Sequence, residues 1–491
     1  METTKKSNFN QVFWLGVGQV FTFLATFLSG VILSRYFTKA DYGTYRQVLF
    51  VYNILFSVFS AGLASAYSFF IPRLNDAQAK TIVSKINKIL VLFGVVLSSI
   101  LFWGSGFISG IMQNKELDEA LQLFCLTPLF TLPALGVESL YTAIRNTKII
   151  AIYQLFGKML VFFCSVVPVV IFHLGYKEAI IGWTAASFVT FVFAFVLKWA
   201  PYKTVKQVSI EGVYLKVVNY SFPLMAAAIV GLMLNSATEI FISRYWGSAY
   251  FADYSNGYIG LPFVVMVAGP IKSLLQPLFS KAEHDGNFDE ALSVYEDGVK
   301  QCMSLLLPLI FFSFLFAPDI ITFVYGQHYI SSVPYFRLSL LKDIATILPY
   351  ISILLAFGKS NVYFVIHLLA TIFLWLLDVC LVFVCNAPVY YALAYTIVGF
   401  LIPIVMLFYI RYQFNLKILS RSLFAHIFKV SVHTVSLLVL IYMLFNNVSD
   451  EWLSIYRLIL MFSIFMVLLM ATGKLIHLDY YMNILHKLKK K

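Results

Sequence analysis

The sequence predicts an all-α, polytopic membrane protein of about fourteen transmembrane helices, arranged as two parallel six-helix lobes followed by a helix pair. Three observations lead there. Of 491 residues, 60% are apolar and 12% charged, whereas a soluble domain carries about a quarter charged residues. The apolar residues fall in long runs between short polar breaks, giving a mean hydropathy of +0.85. A Ser-Arg-Tyr-aromatic junction occurs twice, at positions 34 and 243.

Hydrocarbon offers backbone groups no water, so long apolar runs must cross it as helices of about 20 residues. A closed barrel would instead show alternating segments of roughly 10 residues. The first run, Phe9 to Leu33, is too long for a signal-peptide core and lacks a small-x-small cleavage site, so it reads as a retained first span. Spans then follow near 43–71, 88–112, 120–143, 149–173, 179–198, 217–243, 253–280, 301–324, 335–358, 361–384, 388–410, 426–446 and 453–473. Pro128, Pro133, Pro270, Pro277 and Pro349 predict kinks, because proline removes a ladder hydrogen bond. The longest breaks, 72–87, 199–216 and 281–300, read as cytoplasmic stretches, the first and last being partly amphipathic interfacial helices.

A net charge of +12 invites a nucleic-acid reading. Its distribution excludes that reading: with the N-terminus in the cytoplasm, roughly two dozen Lys and Arg fall on the inner side and about eight on the outer. The inner set includes Arg73, Lys80, Lys85, Lys88, Lys198, Lys203, Lys206, Lys216, Lys417, Arg421 and the tail Lys487–Lys491. The bias alternates loop by loop, which predicts an even helix count and both termini inside. Trp14, Tyr36, Trp183, Trp199, Tyr202 and Trp246 fit interfacial aromatic belts. The five cysteines lie in or beside apolar runs without CxxC spacing, and His173, His367 and His433 lack ligand spacing, so neither disulfides nor a metal site is implied.

Ser34-Arg35-Tyr36-Phe37, with Tyr42-Gly43-Thr44-Tyr45 after it, recurs as Ser243-Arg244-Tyr245-Trp246 and Phe251-Ala252-Asp253-Tyr254 at one offset. Both copies close an outward-going span and open the next. The copies start six spans apart, an even number, so the halves share an orientation and the pseudo-twofold lies along the membrane normal. This divides the chain into an N-terminal lobe (1–200), a cytoplasmic linker (201–216), a C-terminal lobe (217–411), and two extra helices with a basic tail (412–491).

The string from Leu33 to Tyr45, joining the first two spans, resembles the start of the polysaccharide-transporter proteins that flip O-antigen, capsule or teichuronic-type repeat units. These belong to the multidrug/oligosaccharidyl-lipid/polysaccharide exporter superfamily. The six-plus-six-plus-two layout extends the resemblance over most of the chain. It implies a V-shaped central cavity that alternates between two openings and moves undecaprenyl-pyrophosphate-linked oligosaccharide from the cytoplasmic to the periplasmic leaflet of a bacterial inner membrane. It also implies coupling to H+ or Na+ and contact with membrane lipids and other polysaccharide-assembly proteins. The first span carries only Gln11 and Gln19 as polar candidates, unlike the peptidoglycan-precursor branch with its mid-helix arginines.

Charges within spans are costly and face bundle interiors or water. Those present are Glu138, Lys158, Glu239, Lys272, Lys342, Asp343 and Asp378, with Arg35 and Arg244 at the ends of the duplicated helices. Glu138 and Lys158 lie at depths that permit pairing. Lys272, beside Pro270, either meets a pyrophosphate or snorkels to the interface. Lys342 and Asp343 point about 100° apart and do not pair simply with each other. Asp378, in an otherwise apolar span, is either an ion-coupling acid or a partnered structural one; Arg35 and Arg244 are anchors or gate residues. Under the resemblance, the five cations are candidates for binding substrate pyrophosphate, and Glu138, Glu239, Asp343 and Asp378 for ion coupling. An ion-coupled multidrug antiporter shares the fold, but a site for organic cations favours acids over these lysines. A glycan polymerase needs a large outer loop, and no DxD, Walker A or acyltransferase motif marks an enzyme or a cofactor site.

Overall fold

The computed structural model describes residues 2–60, 62–144, 146–209, 211–445, 454–476 and 478, without the side chains of 2–17, 223, 227, 454 and 455. The basic tail and the side chains of Gln11 and Trp14 lie outside the described residues. Those described are mostly helical, with no strand among them. Among the described residues thirteen helices are long and apolar enough to cross a membrane, or 14 when a pair bent by 46° counts as one span. They form two compact units, Met1–Ala252 and Asp253–Lys491.

In the first unit α1 (Glu2–Tyr36) is the first span, and α2 (Lys39–Ser60) with α3 (Leu63–Phe70) the second. The third is α4 (Asp76–Trp103), extended by α5 (Ser105–Met112); the fourth is broken into α6 (Glu116–Phe124), α7 (Thr127–Ala134) and α8 (Val137–Ala143). The fifth joins α9 (Thr147–Val161) to α10 (Val167–Phe172) through a π-helical turn, and α11 (Tyr176–Trp199) is the sixth. Then come α12 (Val213–Trp246) and α13 (Ser248–Gly257), the latter crossing the boundary between the units. By sequence α12 opens the second copy of the repeat. By packing, against α2, α3, α4 and α5, it belongs to the first unit.

Two of the expected interfacial stretches prove to be the first turns of spans. Asn75 caps α4 through a reciprocal box with Gln78. Ala79, Ile82, Val83, Ile86 and Leu90 then bury one face at helical spacing, so the helix runs into the apolar stretch without interruption. The segment near 289 behaves alike, with Ala291, Tyr295, Val299 and Cys302 buried. The linker is shorter than expected and tied down. Lys80 Nζ donates to the Val205 carbonyl (2.6 Å), Thr81 Oγ1 to that of Val208 (2.5 Å), and the Lys85 ammonium lies 4.6 Å from the Tyr214 ring centroid.

The second unit contains α14 (Pro262–Asp285), α15 (Asp289–Leu315), α16 (Ala317–Tyr325), α17 (Val333–Ile347), α18 (Tyr350–Ala356), α19 (Ser360–Val384) and α20 (Val389–Phe414). The final pair, α21 (Arg421–Phe445) and α22 (Ser454–Leu475), docks through α15. Phe312, Phe316, Ile441, Met461, Phe465 and Leu469 make that buried core, and Ser304 Oγ shares a 2.7 Å hydrogen bond with His426 Nε2.

The duplication is legible in element starts as well as in the junction motif. Thr147 and Ser360 open α9 and α19, and Tyr176 and Val389 open α11 and α20, each pair 213 positions apart. The fourth span of each half breaks at the same place, 135–136 and 348–349.

Candidate functional site

The break in the fourth span follows from its sequence. Pro128 and Pro133 weaken the ladder, and Gly136 adopts φ +90°, a left-handed conformation that ends α7 and restarts the chain as α8. A Cβ on Gly136 would lie 2.3 Å from the Tyr67 ring. A helix end within a membrane leaves carbonyls unpaired. Lys198, expected among the cytoplasmic loop cations, is instead 1% exposed and meets that need. Its Nζ donates to the Pro133 carbonyl (2.6 Å), Asn87 Oδ1 (3.2 Å) and the Tyr67 hydroxyl (3.3 Å).

Beside the break lies a cavity of about 470 Å³. Its wall combines Glu138 of α8, Tyr153, Gln154 and Lys158 of α9, Trp183, Ser187 and Thr190 of α11, Tyr52 and Asn53 of α2, and Thr22 of α1. A smaller pocket continues past Lys158 and Trp183 to Thr26, Ser29, Tyr45 and Arg46. The cavity thus holds one cation and one carboxylate within electrostatic reach of each other, a second cation in the adjoining pocket, four aromatic side chains (Tyr52, Phe56, Tyr153 and Trp183), and several hydroxyl and amide groups. Thr22 Oγ1 and Gln154 Oε1 are buried and have no hydrogen-bond partner among the described residues. Tyr52 is held by its hydroxyl on Thr131 Oγ1 (2.7 Å) and by edge contact with Phe124. Hydroxyls, amides and aromatic faces in one chamber suit a polyhydroxylated ligand, and the flanking charges suit one with ionic groups.

Of the residues singled out by sequence, Lys158 and Glu138 come together here. Lys272 is half-buried in the second unit and donates to the Thr346 carbonyl (2.5 Å), the last turn before that unit's own break. Lys342 stacks between Tyr395 (4.5 Å) and Tyr258 (5.0 Å). Asp343 is buried and accepts the Leu261 backbone N–H (2.8 Å) at the start of α14, favourable for a carboxylate beside a helix N-terminus. Asp378 is fully buried in α19 with neither oxygen hydrogen-bonded among the described residues. Glu239 is half-buried in α12. Arg35 is exposed at the end of α1, whereas Arg244, its repeat counterpart, caps α5 by donating to the Ile111 carbonyl (2.8 Å). Beside Arg244, Ser243 accepts from Gln47 Nε2 (2.6 Å), whose Oε1 accepts from Asn114 (2.6 Å).

Two further expectations change. Trp183 lines the cavity instead of an interfacial belt, and Tyr202 is buried. The residues that the charge-based search missed were marked by helical spacing: Gln154 and Val161 flank Lys158 on α9, and Trp183, Ser187 and Thr190 follow one another on α11, at three- and four-residue steps. Among the described residues no group of three or more His, Cys, Asp and Glu side chains is assembled as for a metal, and all five cysteines are free.

The architecture matches solved transporters. The lipid II flippase MurJ in an inward closed conformation is 14% identical, with a TM-score of 0.71 over 95% of this chain and 99% of that one. An inward-facing multidrug resistance MATE family transporter is 12% identical, with a TM-score of 0.65 over 82% and 98%. A transporter of the same superfamily from Pyrococcus furiosus is 14% identical, with a TM-score of 0.57 over 84% and 96%. Identities this low establish the fold alone, one that this chain shares with these transporters. No curated protein matches the sequence. The profile of the family described as polysaccharide biosynthesis protein matches residues 32–334, well over half of the chain, and the chain belongs to that family.

Proposed function

We propose that the protein is a flippase that carries undecaprenyl-pyrophosphate-linked oligosaccharide repeat units, of the O-antigen or capsule kind, from the cytoplasmic to the periplasmic leaflet by alternating access. One observation carries the reading: a cavity walled by membrane-spanning helices combines Lys158 and Glu138 with Tyr52, Tyr153, Trp183 and unpartnered polar groups. The aromatic and hydroxyl surface suits sugar rings, and Lys158 with the adjoining Arg46 suits an anionic group on the same cargo. Membership of a polysaccharide biosynthesis family favours the same cargo over the drugs of the MATE relatives. The two cations on this path also disfavour an organic cation. In this reading the protein sits in the bacterial inner membrane with both termini cytoplasmic, works without a cofactor or bond-making chemistry, and draws on a H+ or Na+ gradient through Asp378.

The test is to delete the gene and follow lipid-linked repeat units by leaflet. The expected result is their accumulation on the cytoplasmic leaflet and loss of surface glycan, restored by the wild-type gene. A Lys158→Ala gene should restore the protein level with export lowered about tenfold or more, the scale of one charge-assisted hydrogen bond. Normal surface glycan in the deletion strain rejects the cargo; full rescue by Lys158→Ala rejects the cavity.

A further inference from the structure

A second cavity, of about 520 Å³, lies within the second unit between α15, α17, α20 and the start of α21. It is the repeat counterpart of the first. Thr131, Leu135, Ser187 and Thr190 line the first cavity, and the residues 213 positions later, Ile344, Leu348, Phe400 and Pro403, line the second, the same offset that relates the element starts. Each cavity therefore sits beside the break in the fourth span of its half, against the sixth. Their chemistry differs. The two threonines and the serine of the first are matched in the second by isoleucine, proline and phenylalanine, and of the described side chains that line the second only Arg411 is polar. Close packing leaves few gaps larger than a water molecule, so an apolar space of this size is more than a packing fault. It suits a hydrocarbon chain.

The rim narrows the ligand. Ile404, Phe408 and Phe424 line the cavity and are also exposed, so it is reached from the outer, apolar surface of the helices. Arg411 stands three residues before the end of α20, is exposed, and makes no hydrogen bond or ion pair among the described residues. A guanidinium at a span end lies at headgroup level. An arginine that serves only as an interfacial anchor has no need of an apolar cavity beneath it. The helix α21 turns Phe424 and Ile427 toward the cavity, whereas Lys429, through which it meets the Ile476 carbonyl at the end of α22, points to its other side. A lone cation complements the single negative charge of a phosphodiester better than the larger charge of a pyrophosphate or the zero net charge of phosphatidylethanolamine. An apolar chain with one phosphodiester charge describes an acidic phospholipid.

We propose that this cavity binds an acidic phospholipid from the leaflet at the C-terminal end of α20, with an acyl chain between α17, α20 and α21 and the phosphate on Arg411. The site does not depend on the cargo of the first cavity. The test uses full-length protein in nanodiscs of equal phosphatidylethanolamine and phosphatidylglycerol, followed by native mass spectrometry of the retained lipids. Wild type should retain phosphatidylglycerol about fivefold over phosphatidylethanolamine, the scale of one arginine at an anionic surface. Arg411→Gln should remove that preference while lipid is still held. Ile404→Trp fills the mouth of the cavity and should lower retention of both lipids. Both positions are exposed, so neither variant removes a packed core side chain. Equal retention of the two lipids by wild type, an unchanged preference in Arg411→Gln, or unchanged retention in Ile404→Trp would overturn the proposal. Displacement of phosphatidylglycerol by an equal amount of undecaprenyl phosphate would also overturn it, and would give the cavity to a prenyl chain.

Discussion

At the residue scale, the two most deeply buried charges among those discussed have opposite settings. Lys198 is enclosed yet satisfied, with a backbone carbonyl, an amide oxygen and a phenol around its ammonium. Replacing it with Met would orphan the Pro133 carbonyl, at a cost of about 1–3 kcal/mol. The expected result for Lys198→Met is a lower melting temperature in detergent by fluorescence-detected chromatography; an unchanged melting temperature would mean that water already serves that carbonyl. Asp378 is enclosed with neither oxygen bonded. An ionised carboxylate there requires a counter-cation, and a transported proton or Na+ can provide it. Asp378→Asn should therefore leave cargo binding intact and make flux in proteoliposomes insensitive to both gradients; retained dependence on either would assign coupling elsewhere. Spacing and hydropathy flagged Asp378, because a lone acid in an apolar run stands out. Lys198 was misread as a loop charge because it lies near the end of a span, and sequence cannot tell a snorkelling lysine from one folded back onto a broken helix.

At the element scale, the broken fourth span is the feature on which the cavity depends. Both halves break at equivalent positions, and in both the carbonyl just before the break, Pro133 or Thr346, receives a lysine ammonium. The lysines are not repeat equivalents: Lys198 comes from α11 and Lys272 from α14. An unpaired carbonyl in a membrane requires a donor, so each half acquired one from whichever neighbouring helix reached it. The prolines made these kinks predictable, whereas the lysines that satisfy them depend on tertiary contacts absent from local sequence. Gly136→Ala tests how firmly the break is specified. A non-glycine residue held left-handed costs about 1–2 kcal/mol, and the new methyl must also displace the Tyr67 ring that contacts Lys198. The expected outcome is a loss of thermostability larger than the backbone term alone, partly recovered by adding Tyr67→Ala. No recovery in the double variant would place the whole cost in the backbone.

At the scale of the whole molecule, the spans were legible because their signal is long and collective: an apolar run and an alternating charge bias survive errors in any single boundary. The cavity was legible only in its two charges, since polar and aromatic residues at helical spacing resemble ordinary packing until the helices are set side by side. The orientation, with the N-terminus inside, rests on charge bias and can be checked with the protein's own cysteines. Cys385 follows α19, the eleventh span, and is half-buried between α19 and α20; Cys380 lies within α19 on an exposed face, toward lipid. An odd-numbered span starting inside ends outside, so a membrane-impermeant maleimide applied to intact cells should label Cys385. Cys380, inside the span, is out of reach of a reagent that does not enter hydrocarbon and should remain unlabelled. Mass spectrometry of the labelled peptide separates the two sites, and Cys385→Ser should abolish the signal. Labelling of Cys385 only after the membrane is permeabilised would invert the topology inferred from the basic loops.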